Sequence, residues 1–219
     1  MLKVNASTGE IFIYDVIGSD WFGEGITGSS VTSALKELGN KRATIRINSP
    51  GGVADEGIAI YNILKRHKAG VDTYNDSIAA SAASIIFLAG ENRYTAKGSR
   101  VMIHKASAVV WGNADEVRKQ AGVLDKYDES LIEIYSEHMA IEREEIAELM
   151  AAETWYTTDE AIAAKLATAT TATESKEAKV ASWFRNAPAA LLDQQKNPLS
   201  FGNYDLAVAA KKRFQLLCR

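Results

Sequence analysis

Apolar and polar residues along the first two thirds of the chain follow two patterns that alternate with each other. Short apolar or alternating runs predict strands over residues 11–17, 44–47, 71–75, 93–95 and 101–104. Apolar residues three and four positions apart predict helices over residues 29–38, 55–67 and 81–89. Strands that alternate with helices in this way predict an α/β fold built of stacked strand-turn-helix units.

A longer helical pattern occupies residues 113–139, and a shorter one follows over residues 143–152. In the longer pattern, apolar side chains recur at steps of three and four, which predicts an amphipathic helix that covers the core. The stripe consists of Val117, Ala121, Leu124, Tyr127, Leu131 and Ile134.

The composition changes near residue 168, which we predict to be the end of the folded domain that starts at residue 1. Residues 169–175 contain few large apolar side chains and are typical of a linker. Residues 176–219 carry eight Lys or Arg and three Asp or Glu. This basic tail is predicted to be partly flexible, or to dock onto a neighbouring subunit or an assembly partner.

The overall composition excludes several classes of protein. With 219 residues, 47% of them hydrophobic, the chain can bury one substantial core, and its net charge of −3 argues against a nucleic-acid binder. Cysteine pairs, histidine clusters with metal-ligand spacing and phosphate-binding glycine loops are missing from the sequence, so we expect no metal and no cofactor. The single cysteine, Cys218, and the lack of a leader or an apolar run of membrane-spanning length favour the cytoplasm.

Ser81 is the first candidate for chemistry, because it lies where a run of small residues enters the helix predicted over residues 81–89. Backbone N–H groups without intrahelical partners crowd a helix start, and they can stabilise an anion that develops on a substrate carbonyl. Ser81 is therefore a candidate nucleophile. The same sequence also fits a simple N-cap or close helix packing.

A second candidate element lies upstream, where Asn48-Ser-Pro-Gly-Gly52 follows a predicted strand directly. Two glycines after a proline allow the backbone to approach a ligand and to present a free N–H group. An ordinary turn has the same composition.

Of the three histidines, His104 at the end of a predicted strand is best placed to be buried yet reachable. His67 and His138 lie at helix positions that indicate structural or solvated side chains. An acid that could orient His104 is Glu153, which precedes an aromatic pair, although a Glu at a helix end is more often solvated. Nearby alternatives are Glu148 and Asp159, and Asp159 is expected to cap the following helix.

Taken together, four segments resemble the ClpP-type serine peptidases of the crotonase-like superfamily, over residues 10–170. They are Ile47-Asn-Ser-Pro-Gly-Gly52, Ala79-Ala-Ser81, Ser99-Arg-Val-Met-Ile-His104 and the segment 153–161. The resemblance implies that Ser81 is the nucleophile, His104 the general base and Glu153 the acid that orients the imidazole. It also implies that the backbone N–H groups of Gly52 and Ala82 form an oxyanion hole.

The chain departs from that family in three places. Glu153 stands where the family usually has aspartate, Ser77 where it often has glycine, and Ala82-Ala83 where it often has Met-Gly. The resemblance further implies a homo-oligomer, a heptameric ring or double ring, in which the long helix forms a handle between rings. A stripe of Leu124, Tyr127 and Leu131 could then be an inter-subunit seam.

The finer resemblance is to ClpP-like proteases of phage and prophage head-assembly modules, through Trp21-Phe-Gly23, Glu153-Thr-Trp155 and the short segment before the first predicted strand. It implies capsid, scaffold or portal proteins as substrates, cleaved in the host cytoplasm or the prohead. One alternative is the proteolytic subunit of an ATP-dependent Clp protease, which works with a separate AAA+ unfoldase. The sequence also leaves open a Ser/Lys dyad with Lys97 or Lys105, an acyl-CoA enzyme that does not need Ser81, and a catalytically silent structural oligomer.

Overall fold

A computed structural model describes residues 2–18 and 25–171 of the chain. The described strands are β1 (Lys3–Asn5), β2 (Glu10–Ile13), β3 (Ala43–Ser49), β4 (Val71–Ala80), β5 (Asn92–Ala96), β6 (Arg100–Ile103), β7 (Thr154–Tyr156) and β8 (Ala169–Thr171). The described helices are α1 (Gly28–Leu38), α2 (Ala54–Lys65), α3 (Ala82–Leu88), α4 (Ala114–Ser136), α5 (Arg143–Ala151) and α6 (Thr158–Ala163). The predicted α/β fold of strand-turn-helix units with one long helix is confirmed.

The strands form one mixed sheet in the order β1-β2-β3-β4-β5-β8, and the longest of them, β4, changes partner along its length. Its first half pairs in parallel with β5, from Asp72 to Asn75, and its last residues, Ile78 to Ala80, pair in parallel with β6. The register between β3 and β4 shifts between Ile47 and Ser49. The end of β4 therefore carries a second branch of sheet, in which β7 pairs antiparallel with β6.

The hydrophobic core lies between one face of the sheet and the helices. Alternate residues of β2 and β3 are fully buried there, among them Ile11, Ile13, Ile45 and Ile47. Every residue of α3 is buried, because its sequence Ala-Ala-Ser-Ile-Ile-Phe-Leu is apolar on nearly all sides. A helix enclosed in this way gives the residue before it, Ser81, a fixed position.

On the other face of the sheet, buried Asp76 accepts hydrogen bonds from the guanidinium of Arg46 and the hydroxyl of Tyr14. Arg46 also lies over the ring of Tyr74, with 5.4 Å between the guanidinium carbon and the ring centroid. A buried carboxylate needs such partners, since an unpaired charge is costly in a low-dielectric interior. β4 continues past residue 75 because its last residues, Ile78 to Ala80, pair with β6.

Several element boundaries differ from the sequence prediction. The strand predicted over residues 11–17 ends at Ile13, and Ile17 instead bridges to Ile26 and Gly52. Short strands β1, β7 and β8 were not predicted, because three residues are too few to show a periodic pattern.

The folded unit extends past the boundary predicted at residue 168. β8 (Ala169–Thr171) pairs with β5, so the first three residues of the predicted linker belong to the sheet. The rest of that linker, the tail 176–219 and Trp21-Phe-Gly23 lie outside the described residues.

His138 lies just beyond the end of α4, and its Nε2 atom is buried without a hydrogen-bond partner among residues 2–18 and 25–171. Burial, followed by the positive charges of Arg93 and Lys65, lowers the pKa of His138 to about 4, while Glu137 opposes this shift. The imidazole is therefore neutral in the folded protein over a pH range in which a free histidine is protonated.

We expect His138 to make the fold sensitive to acid. As the pH falls from about 6.5 to about 4, the unfolded chain takes up a proton on His138 before the folded chain does, so the free energy of unfolding decreases. His138→Gln removes this contribution. When the pH is lowered from 7 to 5, the Tm of the wild type should therefore fall more than the Tm of the variant. A difference between the two Tm values that stays constant with pH would contradict the prediction.

Candidate active site

Ser81 lies in the sharp turn between β4 and α3. Its backbone φ is 54° and ψ is −128°, a combination that is strained for a residue with a side chain. Its N–H donates to the carbonyl of Met102 at 3.0 Å, which ties the turn to β6. Ser81 occupies the N-cap position of α3, but its side chain makes no capping hydrogen bond. The simple N-cap interpretation therefore does not describe this hydroxyl.

The hydroxyl of Ser81 instead contacts His104, with 2.8 Å between Oγ and Nε2. The pair forms because Ala80 at the end of β4 is in register with Met102 of β6, and both strands run in the same direction. Residues that follow neighbouring parallel strands meet at the same edge of the sheet. The strand-end position predicted for His104 is what brings its imidazole to Ser81.

Glu153 directly precedes β7, which pairs antiparallel with β6. Thr154, the first residue of β7, pairs with Ile103, the last residue of β6, so Glu153 and His104 adjoin the same end of this ladder. Glu153 is only 6% exposed, and its φ of 52° is again a left-handed value. The indole Nε1–H of Trp155 donates to its Oε1 at 3.3 Å.

The two alternative acids, Glu148 and Asp159, are both exposed, on α5 and on α6 respectively. Asp159 does not cap α6 as expected, because the N-cap is Thr157, which forms a capping box with Glu160. Among the three acids considered from the sequence, only Glu153 is buried, directly before the strand β7 that pairs with β6.

The Gly51–Gly52 turn passes directly alongside Ser81. A Cβ on Gly51 would lie 2.7 Å from Cβ of Ser81 and 2.9 Å from the backbone nitrogen of Ala82, so no larger residue fits. The turn is held from behind, where Val53 N–H donates to the carbonyl of Ile17 at 2.9 Å. Gly52 and Ala82, at the start of α3, both line the cavity that opens beside Ser81 and His104.

Two further contacts hold Ser81 and were not predicted from sequence. Ser84 Oγ donates to the carbonyl of Ser81 at 2.7 Å and also lies 2.7 Å from the hydroxyl of Tyr135, on α4. Burial raises the pKa of Tyr135, so its hydroxyl stays protonated and can donate to Ser84. No sequence pattern links residues 51 positions apart in this way.

The segment after His104 is anchored to α4 through Asp128, which is buried. Its Oδ1 accepts the N–H of Ala106 at 2.7 Å, and its Oδ2 lies 3.8 Å from Nζ of Lys105. The lysines considered as bases are both exposed: Lys105 faces Asp128, and Lys97 lies in the turn before β6. The hydroxyl of Ser81 is therefore paired with an imidazole and not with an amine.

A cavity of about 750 Å³ opens beside Ser81 and His104. Leu124, Tyr127 and Leu131 of α4, which the sequence suggested as an inter-subunit seam, line this cavity in the single chain. The seam itself concerns a second copy and stays a prediction.

Within the described ranges, no group of His, Cys, Asp and Glu side chains could hold a metal ion. Nor does the described part of the chain contain a helix of the length and apolarity that crossing a membrane requires.

The chain is similar to known proteins over much of its length. The ATP-dependent Clp protease proteolytic subunit 1 of Chlamydia abortus is 32% identical over 152 residues, which is 64% of this chain and 79% of that protein. The ATP-dependent Clp protease proteolytic subunit of Deinococcus radiodurans is 33% identical over 118 residues, 53% of this chain and 58% of the relative.

Among solved structures, a mutant of ClpP1 from Listeria monocytogenes matches with a TM-score of 0.67 and 24% identity. The match covers 77% of this chain and 94% of that one, and it shows a common fold. A family model described as Clp protease matches residues 10–172, which is most of the chain. The chain therefore belongs to the Clp protease family.

Proposed function

We propose that this chain is a serine endopeptidase in which Ser81 is the nucleophile, His104 the general base and Glu153 the acid that orients the imidazole. Membership of the Clp protease family identifies the chain as a peptidase. The observation that carries the assignment of residues is the 2.8 Å contact between Ser81 Oγ and His104 Nε2, made by a serine on a strained turn.

The first half of the reaction follows from that contact. Ser81 Oγ attacks the carbonyl carbon of the peptide bond while Nε2 of His104 takes the hydroxyl proton. The tetrahedral intermediate collapses when the imidazolium delivers this proton to the leaving amine, and an acyl ester on Ser81 remains. Water then attacks the ester by the same route, which restores the serine hydroxyl.

Glu153 and the two backbone N–H groups complete the proposal. Glu153 and His104 adjoin the same end of the β6–β7 ladder, which supports a role for this carboxylate in fixing the tautomer that leaves Nε2 unprotonated. Gly52 and Ala82 would donate to the oxyanion of the tetrahedral intermediate. Gly52 and Ala82 both line the cavity beside Ser81, and Gly51, the neighbour of Gly52, lies close to Ala82 N, which supports this role.

Substitution of either member of the pair should abolish hydrolysis. Ser81→Ala and His104→Ala should each lower kcat by roughly a million-fold, because nucleophile and base act as a unit. Hydrolysis of a fluorogenic peptide measures this loss. A fluorophosphonate probe, located by peptide mass spectrometry, should form an adduct at Ser81 in the wild type and at no residue in His104→Ala.

The same assay separates the remaining hypotheses for this site. If His104→Ala retains hydrolysis and Lys97→Ala or Lys105→Ala loses it, the general base is a lysine and not the imidazole. Hydrolysis that persists in Ser81→Ala would favour an enzyme that uses the oxyanion donors alone. A wild-type protein without label and without hydrolysis would be a silent structural oligomer.

Glu153→Gln should reduce kcat by up to roughly 10⁴-fold, less than Ser81→Ala, because the amide keeps the shape but cannot stabilise the imidazolium. Asp159→Asn and Glu148→Gln are the matched controls, since both side chains are exposed. Steady-state kinetics on the same peptide measures all three. Wild-type activity in Glu153→Gln, with a loss in either control, would reassign the acid.

For the natural substrate, we propose capsid, scaffold or portal proteins of a phage or prophage, supported by the resemblance of the segment around Glu153-Thr-Trp155. A second candidate, supported by the names of the two relatives, is degradation that depends on an ATP-driven unfoldase. The ring assembly predicted from sequence is common to both candidates.

The two candidates differ in whether ATP is needed. Head processing predicts discrete cleavage products from co-expressed capsid or portal proteins, without ATP and with the Ser81→Ala variant as control. Degradation of a folded, tagged protein only when a Clp ATPase and ATP are added would favour the second candidate. Gel electrophoresis and intact mass spectrometry of the products distinguish the two results.

A further inference from the structure

The cavity beside Ser81 has apolar walls and a single carboxylate. Among its described lining residues, Asp55 is the one acid, and none is a lysine or an arginine. The walls are aliphatic or aromatic on three sides: Val53 from the start of α2, Ile85 from α3, and Leu124, Tyr127, Leu131 and Tyr135 from α4. The carboxylate of Asp55 therefore faces the cavity without a lysine or an arginine among the described residues that line it.

The carboxylate of Asp55 is held in position by Tyr127. The tyrosine hydroxyl donates to Oδ2 at 2.8 Å, which joins the first turn of α2 to α4 across the cavity. This hydrogen bond is the first cause of the raised pKa of Tyr127, so the hydroxyl remains a donor. Within the described part of the chain, Asp55 forms no ion pair, and its Oδ1 accepts no hydrogen bond.

Asp55 is also close to the reacting groups along the chain. It lies three residues after Gly52, whose turn passes alongside Ser81 and Ala82. Gly52 and Asp55 line the same cavity, so this charge and the proposed oxyanion site face one space. A helix start favours an acid in any case, and the first turn of α2 contains two, Asp55 and Glu56. Glu56 accepts the N–H of Gly28, at the start of α1, at 2.6 Å.

We propose that Asp55 selects substrates that carry a lysine or arginine side chain beside the scissile bond. The methylene stem of such a side chain would lie against the apolar walls, and its cationic head would bind Oδ1 of Asp55. Tyr127 keeps the carboxylate aimed into the cavity. The inference rests on the proposed peptidase function and adds the class of side chain that the site recognises.

The test uses the full chain and pairs of fluorogenic peptides that differ only by lysine or norleucine at one position from P3 to P2′. Norleucine has the same aliphatic stem without the charge. At one of these positions the wild type should cleave the lysine peptide with the higher kcat/KM. Asp55→Asn, which keeps the acceptor for Tyr127, should lower the ratio of lysine to norleucine kcat/KM roughly 10- to 100-fold.

Two further variants separate recognition from structure. Asp125→Asn removes an exposed carboxylate of α4 that does not line the cavity, and it should leave the ratio unchanged. Tyr127→Phe keeps the charge but frees the carboxylate, so the ratio should fall to an intermediate value. Thermal unfolding of each variant identifies any loss of fold.

The inference would be overturned if the ratio did not change in Asp55→Asn, or if the wild type showed no preference for lysine at any position. Neither result would affect the proposed peptidase function. Failure of the proposed function looks different. In that case neither peptide is cleaved and the fluorophosphonate probe leaves Ser81 unlabelled, and the inference falls with it.

Discussion

The site depends on one constraint, the sharp turn that carries Ser81 from β4 into α3. A serine with φ of 54° is strained by about 1–3 kcal/mol and persists only where its surroundings fix it on several sides. The structure supplies three such contacts: the hydrogen bond from Ser81 N–H to Met102, the Gly51 turn against its Cβ, and the enclosed helix that follows it. Together they present the hydroxyl to His104 rather than to the helix it precedes.

Helix α4 connects this turn with the rest of the site. On one side Tyr135 reaches the Ser81 carbonyl through Ser84, and on another Asp128 holds the segment that follows His104. On a third, Tyr127 positions the carboxylate of Asp55 at the cavity. The amphipathic stripe predicted from the sequence therefore does more than cover the core, since its side chains form a wall of the site and brace both members of the Ser81–His104 pair.

Much of the site could be predicted because its residues lie in short segments with their own chemistry. Ser81 follows small residues at a helix start, Gly51 and Gly52 follow a strand, and His104 ends a strand. The burial of Glu153 was harder to predict, because it depends on the strand β7, whose three residues are too few to form a recognisable pattern. The capping of α6 was assigned to Asp159 and belongs to Thr157, two residues earlier, because either residue type favours a helix start.

The sequence by itself determined the alternation of strands and helices, the glycine turn and the positions of the serine and the histidine, because these follow from local periodicity and backbone freedom. Only the tertiary structure decided which groups meet. The β4–β6 register brings His104 to Ser81, the β6–β7 pairing brings Glu153 and His104 to the same end of one ladder, and α4 crosses the cavity to place Tyr127 against Asp55. Such contacts join residues 23 to 72 positions apart, and their energy comes from packing and burial, which no stretch of chain encodes alone.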